Sequence, residues 1–269
     1  MDKERVKAIT EQLEQGVRDV YTSGKWAEYL QTMSKFYNYS AGNCLLIMMQ
    51  CPTATLVAGY RTWQKEFKRN VKKGEKAIRI LAPITCKAKH TEIDESGKEV
   101  EVEFKFLRFR DVPVFDISQT EGEPVDKLMV ELTGDAGADL IDKLVKVAPV
   151  PVTFEDFDGR AYGYYSPSKN CIVVSNGIEN RHKVKTLVHE IAHSILYCDD
   201  GEQEDADRRT KEVQAESVAY VVLNYLGIDT SEYSFGYVAG WSNGRDIKEL
   251  QASIEVIRKT ASDIIQKVA

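Results

Sequence analysis

Residues 187–193 read LVHEIAH and residues 211–220 read KEVQAESVAY, and these two stretches decide the fold of the C-terminal half of the chain. Apolar residues recur around both stretches at three- and four-residue steps, which predicts that each lies in an amphipathic helix. His189 and His193 are four residues apart, so both imidazoles project from one helical face and can bind the same metal ion. The sequence therefore predicts a metal site carried by two helices.

The acidic residues of these stretches supply the rest of the predicted site. Glu190 lies beside the first histidine and is the candidate catalytic base, acting on water that the metal activates. A catalytic zinc usually has three protein ligands and one open position, so a third ligand is expected on the second helix. Glu212 and Glu216 share a face there. We assign Glu212 as the third ligand of Zn2+ and Glu216 as the acceptor that fixes a ligand histidine in its tautomer, and the exchanged assignment remains open.

Two other interpretations of the H-E-x-x-H match are a pair of surface histidines without a metal and a purely structural zinc site. Structural zinc is usually enclosed by cysteines, and Glu190 would then have no role. The chain has five cysteines, and none is spaced as C-x-x-C. Any zinc must therefore be held by histidine and carboxylate.

Composition limits the class of protein. The chain has 269 residues, 43% of them apolar, and a net charge of −6. No apolar run reaches the roughly 20 residues that span a bilayer, so no membrane partner is expected. The first residues, MDKERVKAIT, are charged and unlike a signal peptide. With its scattered cysteines, this start predicts a cytoplasmic protein with reduced thiols.

The net charge conceals an uneven distribution. Residues 61–80 contain eight Lys or Arg and two Glu, a net charge of +6, whereas residues 199–207 contain six acids. A basic stretch with interleaved aromatic rings can neutralise phosphates and stack on bases, as single-stranded DNA binding requires. The candidate DNA-binding residues are Tyr60, Arg61, Trp63, Lys65, Lys68, Arg69, Lys72, Lys73 and Lys76. A solvated surface for the charges, and core packing for Tyr60 and Trp63, are the other interpretations.

The remaining pattern predicts an α+β protein of two domains, residues 1–118 and 126–269, joined by a polar linker at 119–124. Periodicity and turn residues predict helices at 3–37, with a break at Ser23-Gly24, and at 40–50, 126–147, 180–198, 207–226 and 244–268. Strands are predicted at 77–84, 86–93, 99–109, 150–154, 161–165 and 171–175, with a turn at 94–97. One of the strands near the zinc helix is expected to line a substrate cleft. Tyr233, Tyr237 and Trp241 follow the second helix, and a tyrosine there is a candidate to stabilise an oxyanion.

HEIAH followed by EVQAE resembles the zincin metallopeptidases of the gluzincin type, among them the ImmA/IrrE-like peptidases. In the N-terminal half, YSAGNCLL at 39–46, AGYRTW at 58–63 and VKKGEKA at 71–77 resemble three ordered blocks of the ArdC N-terminal domain. The hairpin at 86–109 matches no pattern of that family. The resemblance implies an antirestriction protein of a mobile element with a single-stranded DNA-binding domain and a zincin-like domain, and it supports Glu212 as the ligand.

The functional expectation is therefore a zinc metalloendopeptidase with single-stranded DNA and a protein or peptide as partners. Protection of transferred DNA, or cleavage of a DNA-bound regulator, is implied by the resemblance alone. The main alternative is a DNA-binding antirestriction protein that does not cleave peptides and whose metal site is structural or regulatory. A further alternative is a peptidase whose basic domain recognises an acidic protein.

Overall fold

The structure, a computed structural model, describes residues 2–93, 99–125, 136–156, 162–198 and 206–269. It is a mixed fold of helices and strands, which confirms the predicted α+β class. Several predicted features lie outside the described residues: the turn at 94–97, the start of helix 126–147, Ala161, and residues 199–205 of the acidic run. None of the helices that the structure describes combines the length and apolar character needed to cross a membrane.

The helices and strands follow the predicted order, and several short ones were not predicted. The helices are α1 (Asp2–Thr22), α2 (Trp26–Lys35), α3 (Ala41–Gln50), α4 (Tyr60–Lys65), α5 (Ala136–Val147), α6 (Asn180–Leu196), α7 (Arg208–Tyr225), α8 (Val238–Ser242) and α9 (Ile247–Val268). The strands are β1 (Val57–Ala58), β2 (Arg69–Val71), β3 (Ile78–Ile93), β4 (Glu99–Asp116), β5 (Thr120–Gly122), β6 (Val152–Glu155), β7 (Gly163–Ser166) and β8 (Cys171–Ser175). The predicted break between the first two helices is confirmed, with Gly24 at φ +76°.

The chain forms two compact units whose limits differ from the predicted domain limits. The N-unit comprises Met1–Gln15 and Leu46–Pro124, and the C-unit comprises Gly16–Leu45 and Val125–Ala269. The physical reason is the packing of α2 on α7, where the buried indole N–H of Trp26 donates to Ser217 Oγ at 3.1 Å. Helical periodicity gives no information about such a distant partner.

The main element of the N-unit is the β3–β4 hairpin, whose antiparallel pairing runs without interruption from Ile78↔Val114 to Ile93↔Glu99. The short strand β1 extends this sheet at the end of β4, in the order β1-β4-β3. Helix α4 packs near the same end, where the indole N–H of Trp63 donates to the carbonyl of Phe115 at 2.9 Å. The core of the unit therefore lies at the base of a long two-stranded arm.

The predicted linker at 119–124 is instead part of the N-unit. Residues Ile117–Gln119 form a 3-10 helix, and Asp116 caps it by accepting from the backbone N–H of Ser118. Strand β5 follows and pairs with β2. The segment has no apolar periodicity because its strand contains only three residues, so the sequence pattern could not identify it.

In the C-unit, a three-stranded sheet in the order β6-β8-β7 lies beside α6. Its central strand, β8, buries Ile172, Val173 and Val174, and pairs parallel to β6 and antiparallel to β7. Strand β7 is therefore an edge strand next to the helix that carries HEIAH. Helices α7 and α9 complete the unit against α6.

Candidate functional site

Helix α6 brings the two predicted histidine ligands together. Its buried residues, among them Leu187, Val188 and Ile191, fix the rotation of the helix in the C-unit. His189 and His193 consequently project from the same face, and their Nε2 atoms lie 3.0 Å apart. The one-turn spacing in the sequence thus produces the expected convergence of two imidazoles.

Helix α7 places Glu212 against this pair. The helix begins at Arg208, where Asp207 caps it by accepting from the backbone N–H groups of Arg209 and Thr210. Glu212 Oε2 lies 3.7 Å from Nε2 of His189 and 3.7 Å from Nε2 of His193.

The three atoms fit one tetrahedral metal ion. Ligands at about 2.0–2.2 Å from a tetrahedral zinc lie roughly 3.3–3.5 Å from one another, which is intermediate between the distances within this group. Among the residues that the structure describes, His189, His193 and Glu212 form the cluster of His, Cys, Asp or Glu that can hold a metal. The donor set of two imidazoles and one carboxylate suits zinc and related divalent ions.

The electrostatics of the cluster favour the protonation states that ligation requires. Burial, together with the neighbouring His193, lowers the pKa of His189 to about 4, so that its imidazole is neutral near pH 7. The adjacent imidazole of His193 lowers the pKa of Glu212, whose carboxylate is therefore ionised. Neutral imidazole and ionised carboxylate are the forms that bind a cation.

Glu190 is held beside the cluster by the edge strand. Its carboxylate is buried and accepts the backbone N–H of Tyr165 at 2.7 Å. Burial raises the pKa of Glu190, which brings the group closer to the range in which it can both accept and return a proton near neutral pH. The predicted base thus has a fixed position and an environment suited to proton transfer.

Glu216 has a different partner from the one predicted. Its Oε2 accepts the hydroxyl of Tyr237, and no described hydrogen bond joins it to a ligand histidine. Burial and the nearby charge of Glu212 raise the pKa of Glu216 to about 7. The predicted role of Glu216 as acceptor for a ligand histidine is therefore corrected. The chain after α7 returns to Glu216, and its Tyr237 hydroxyl occupies the carboxylate oxygen instead.

The three candidate oxyanion donors differ in whether their donor groups already have a partner within the protein. Tyr237 is engaged with Glu216, and Trp241 is buried with its indole N–H donating to Thr210 Oγ1 at 2.9 Å. Tyr233 lines the cleft in front of the site. Tyr233 is therefore the candidate that the geometry retains.

A cleft of about 520 Å³ reaches His189 and Glu190. It is lined by Tyr162, Gly163, His182, Lys185, Thr186, His189, Glu190, Glu216, Glu232 and Tyr233.

A Cβ at Gly163 would lie 2.6 Å from Thr186 Cγ2, so glycine is required for strand β7 to approach helix α6 this closely. Sequence reasoning included Gly163 in a candidate cleft strand but missed the requirement for glycine there, and it missed Lys185. An isolated glycine within a strand, and a lysine one turn before His189, were the available signals.

In the predicted DNA-binding segment, Trp63 is a core residue. Its side chain is fully buried, its ring centroid lies 4.8 Å from that of Phe67, and its indole N–H is bonded to Phe115. A ring without an exposed face cannot stack on a base, so the expectation for Trp63 is corrected in favour of core packing. The sequence could not distinguish the two roles, because both require an aromatic residue.

Three of the basic residues have partners within the N-unit. The guanidinium of Arg69 donates to Thr120 and to the carbonyls of Gly122 and Glu123, and so connects β2 to β5. Lys72 donates to the carbonyl of Ser118 at 2.9 Å, and Lys68 forms an ion pair with Glu123 at 3.8 Å. The structure thus gives Arg69 a structural role that its charge alone did not reveal. Tyr60, Arg61, Lys65, Lys73 and Lys76 are exposed.

Comparisons with known proteins agree with this architecture. Residues 1–115 match the family described as the N-terminal domain of anti-restriction factor ArdC. The N-terminal part of the chain is therefore ArdC-like, as the three sequence blocks indicated. The match includes residues 16–45, which pack in the C-unit, so the family domain and the compact units have different limits.

Two proteins illustrate the likeness over most of the chain. An uncharacterized protein of Bacillus anthracis is 27% identical over 99% of this chain, and the chain spans about half of that relative, 51% of its length. The crystal structure of the antirestriction protein ArdC from the R388 plasmid in its Mn(II)-bound form is 18% identical, with a TM-score of 0.51 over 86% of this chain and 85% of that one. Its metal-free form has a TM-score of 0.48 at 19% identity, over 86% of this chain and 82% of that one. The Mn(II)-bound neighbour shares the fold.

Proposed function

We propose that this ArdC-like chain combines a zinc-dependent peptidase centre in its C-unit with a single-stranded DNA-binding surface in its N-unit. The observation that carries the proposal is the convergence of His189, His193 and Glu212 with Glu190 beside them. Three ligands and a neighbouring carboxylate that is not a ligand are the arrangement of catalytic rather than structural zinc. The Mn(II) form of the solved neighbour supports a divalent ion at such a site.

The proposed reaction is hydrolysis of a peptide bond. A bound divalent ion polarises the scissile carbonyl and lowers the pKa of water. Glu190 Oε1 or Oε2 accepts the proton of the attacking water, and the protonated Glu190 then donates it to the leaving amine. Its raised pKa suits both steps, because the carboxyl must hold the proton between them. We assign Tyr233, which lines the cleft, as the donor to the developing oxyanion.

The edge strand supplies a surface for an extended peptide. Tyr162 accepts from Ser175 of β8, whereas the N–H of Tyr165 donates away from β8 to Glu190. Because backbone groups alternate along an antiparallel strand, the N–H and carbonyl of Gly163 also face away from β8, toward the cleft. A substrate can therefore pair with β7 by strand addition while its scissile bond lies near the ligands.

In the N-unit, the proposed contacts with single-stranded DNA come from the exposed members of the basic segment. Tyr60 is 47% exposed and offers a ring, while Arg61, Lys65, Lys73 and Lys76 offer charge. Lys68 and Lys72 remain in the proposal because their partners leave them exposed. The proposed biological role is antirestriction or cleavage of a regulator bound to DNA, in the cytoplasm.

Metal content tests the centre. The purified protein is expected to hold about one equivalent of zinc, and both His193→Ala and Glu212→Ala are expected to lose it. Glu216→Ala is the matched control on the same helix face and should retain the metal. Loss of metal in Glu216→Ala but not in Glu212→Ala would exchange the two assignments, and retention in all three variants would refute the site.

Glu190→Gln separates catalysis from metal binding. We expect this variant to keep its metal and lose both peptide cleavage and biological activity. If it keeps full antirestriction activity with metal bound, the chain is a DNA-binding antirestriction protein without a proteolytic role. The ArdC match of the N-terminal part is the observation that favours this alternative.

Salt dependence tests the DNA surface. Binding of an oligo(dT) strand should weaken steeply as salt rises, since contacts with phosphates release condensed counterions. No affinity at low salt, or an affinity that does not change with salt, would refute the electrostatic proposal. Recognition of an acidic protein would then be the role proposed for the basic segment.

A further inference from the structure

The β3–β4 arm of the N-unit has two chemically different faces. Its register is constant from Ile78↔Val114 to Ile93↔Glu99, so no bulge changes which side a residue faces. Paired residues lie on the same face of an antiparallel ribbon, and successive residues alternate between faces. Even-numbered residues of both strands therefore share one face and odd-numbered residues share the other.

The odd-numbered face, here called the ion-pair face, contains every acidic residue of the arm within residues 79–91 and 101–111. Each of these acids pairs with a basic residue on the same face. The pairs are Arg79–Asp111 at 2.6 Å, Lys87–Glu103 at 2.7 Å and Lys89–Glu101 at 2.8 Å. This face therefore neutralises most of its own charge.

The even-numbered face, here called the Arg–Phe face, has the opposite composition. It includes Ile84, Cys86, Ala88, Phe104, Phe106, Arg108 and Arg110, besides further apolar residues such as Ala82 and Val102. The rings of Phe104 and Phe106 lie 5.8 Å apart, and Phe104 is 42% exposed. Arg108 and Arg110 are exposed and have no ion-pair partner among the described residues. Aromatic surface and unneutralised positive charge thus occur together on one side.

We propose that the Arg–Phe face of the β3–β4 arm is a binding surface for single-stranded DNA. The inference deepens the proposed function of the N-unit, on which it rests, by naming a surface separate from the basic segment. Phe104 and Phe106 supply stacking platforms, which accept any base, and Arg108 and Arg110 neutralise phosphates along the strand. Arginine also stacks on bases through its planar guanidinium.

Charge complementarity favours a nucleic acid over a protein as the occupant. Two arginines without acidic neighbours on an apolar strip suit a polyanion with unpaired bases, whereas a second copy of this chain would bring its own arginines against them. Double-stranded DNA is a poorer fit, because its bases are already stacked and the rings would have no partner. The ion-pair face also exposes Leu107 and Phe109, but three of its four basic residues within 79–91 and 101–111 are paired with acids.

The alternation of the strand provides a matched control. Phe104→Leu/Arg108→Gln removes one ring and one charge, four residues apart, from the Arg–Phe face. Lys105→Gln/Phe109→Leu removes the same groups at the same spacing from the ion-pair face. Both variants change the net charge equally, so a difference between them reports the face and not the charge of the molecule.

The experiment measures the affinity of the full chain for a 30-nucleotide oligo(dT) strand across a range of salt concentrations. We expect Phe104→Leu/Arg108→Gln to weaken binding about tenfold or more. The variant should also reduce the salt dependence by roughly one counterion, since each phosphate contact with a single strand releases about 0.7 of a counterion on binding. Lys105→Gln/Phe109→Leu should change affinity by less than about threefold. Thermal unfolding of both variants shows that the N-unit remains folded.

Three outcomes would overturn the inference. If the wild-type chain binds oligo(dT) and the two variants lose affinity equally, the arm contributes only general charge. If only the basic-segment variant Lys73→Gln/Lys76→Gln loses affinity, the DNA surface lies elsewhere in the N-unit and the proposed function survives. If Phe104→Leu/Arg108→Gln changes the oligomeric state but not DNA binding, a second copy occupies the face. Absence of any wild-type affinity refutes the DNA-binding function itself.

Discussion

The predicted metal ligands of the C-unit lie together, whereas the predicted DNA-binding residues of the N-unit differ from one another in burial and in partners. His189, His193 and Glu212 lie close enough together to hold one metal ion, and the one-turn spacing of the motif predicted that the two histidines share a face. In the basic segment, Trp63 packs in the core and Arg69 connects two strands, while Tyr60 remains exposed. The residues of the first set lie together, and those of the second set divide into structural residues and exposed ones.

The difference has a physical origin. Residues four apart on a helix must share a face, so H-E-x-x-H fixes the relative position of its side chains before any tertiary contact forms. A run of basic and aromatic residues has no such constraint. The backbone can turn any member toward the core or toward a carbonyl that needs a donor, and tertiary packing decides which members remain at the surface.

The largest expected effect comes from removing a ligand. His193→Ala should abolish metal retention and reduce peptide cleavage below detection, because two ligands on separate helices cannot hold the ion tightly. Elemental analysis and a cleavage assay measure both effects. His182→Ala is the control, since His182 lines the cleft but lies outside the cluster. Equal metal content in the two variants would mean that His193 is not a ligand. The predicted site residues of the C-unit would then be no more uniform in role than those of the basic segment.

Glu190→Gln should have the next largest effect. We expect cleavage to fall by about 10²–10⁴-fold, the usual contribution of a general base, while metal content is unchanged. Glutamine can still fill the space beneath β7 but its neutral amide cannot accept the proton of water. Glu232→Gln, which changes another carboxylate of the cleft lining, is the control and should retain activity. Equal losses in both variants would assign the effect to the charge of the cleft.

Trp63→Ala tests whether the basic segment contributes through packing. The indole is fully buried and hydrogen-bonded, so its removal should destabilise the N-unit by about 3–5 kcal/mol, as measured by chemical denaturation. Tyr60→Ala, three residues earlier and 47% exposed, should cost far less stability and should weaken DNA binding instead. Unchanged stability in Trp63→Ala would restore Trp63 as a surface residue.

Sequence reasoning recovered most of the long helices and the paired strands. Helix limits at α6, α7 and α9 differ from those predicted by at most a few residues, because apolar periodicity and caps such as Asp207 are local signals. The short strands β2 and β5 and the helix α4 were missed, since three to six residues carry no measurable period. The grouping of residues 16–45 with the C-unit depends on distant partners such as Ser217.

For the site, local spacing predicted the histidines, and the position of Glu190 followed from it. The contact of Tyr165 with Glu190 could not be predicted, because it requires the register of β7 beside α6. The partner of Glu216 was predicted incorrectly for a similar reason. Tyr237 arrives from a loop 21 residues later in the chain, and no periodic pattern specifies such a contact.

A smaller effect is expected from the lysines of the basic segment. Lys73→Gln/Lys76→Gln should weaken oligo(dT) binding several-fold and reduce the salt dependence by about 1.4 counterions if both residues contact phosphates. Lys143→Gln/Lys146→Gln removes the same charge from exposed positions of the C-unit. If this control weakens binding equally, the net charge of the chain and not the basic segment governs affinity. The proposed DNA surface on the basic segment would then be refuted.

The smallest effect concerns pH and should be confined to the metal centre. The pKa of Glu216 is raised from 4.5 to about 7, so between these values the folded state holds a proton that the unfolded state has released. Stability of the metal-free protein therefore falls as pH rises through this window. His189, with its pKa lowered to about 4, acts in the opposite direction and only below about pH 6.5.

In the range from pH 6.5 to 8 the contribution of His189 is absent, whereas Glu190, whose pKa burial also raises, acts in the same direction as Glu216. The Glu216→Gln variant therefore separates the two carboxylates. Denaturation of the chelator-treated protein should show stability decreasing across this range in the wild type and changing less in Glu216→Gln, whose amide does not titrate. Tyr237→Phe is the companion variant: it removes the hydroxyl that donates to the carboxylate, so the charged form is less well solvated and the decrease should steepen. An identical pH dependence in all three proteins would mean that Glu216 is solvated like an ordinary surface carboxylate. The centre would then differ from the basic segment in its ligand geometry but not in its electrostatics.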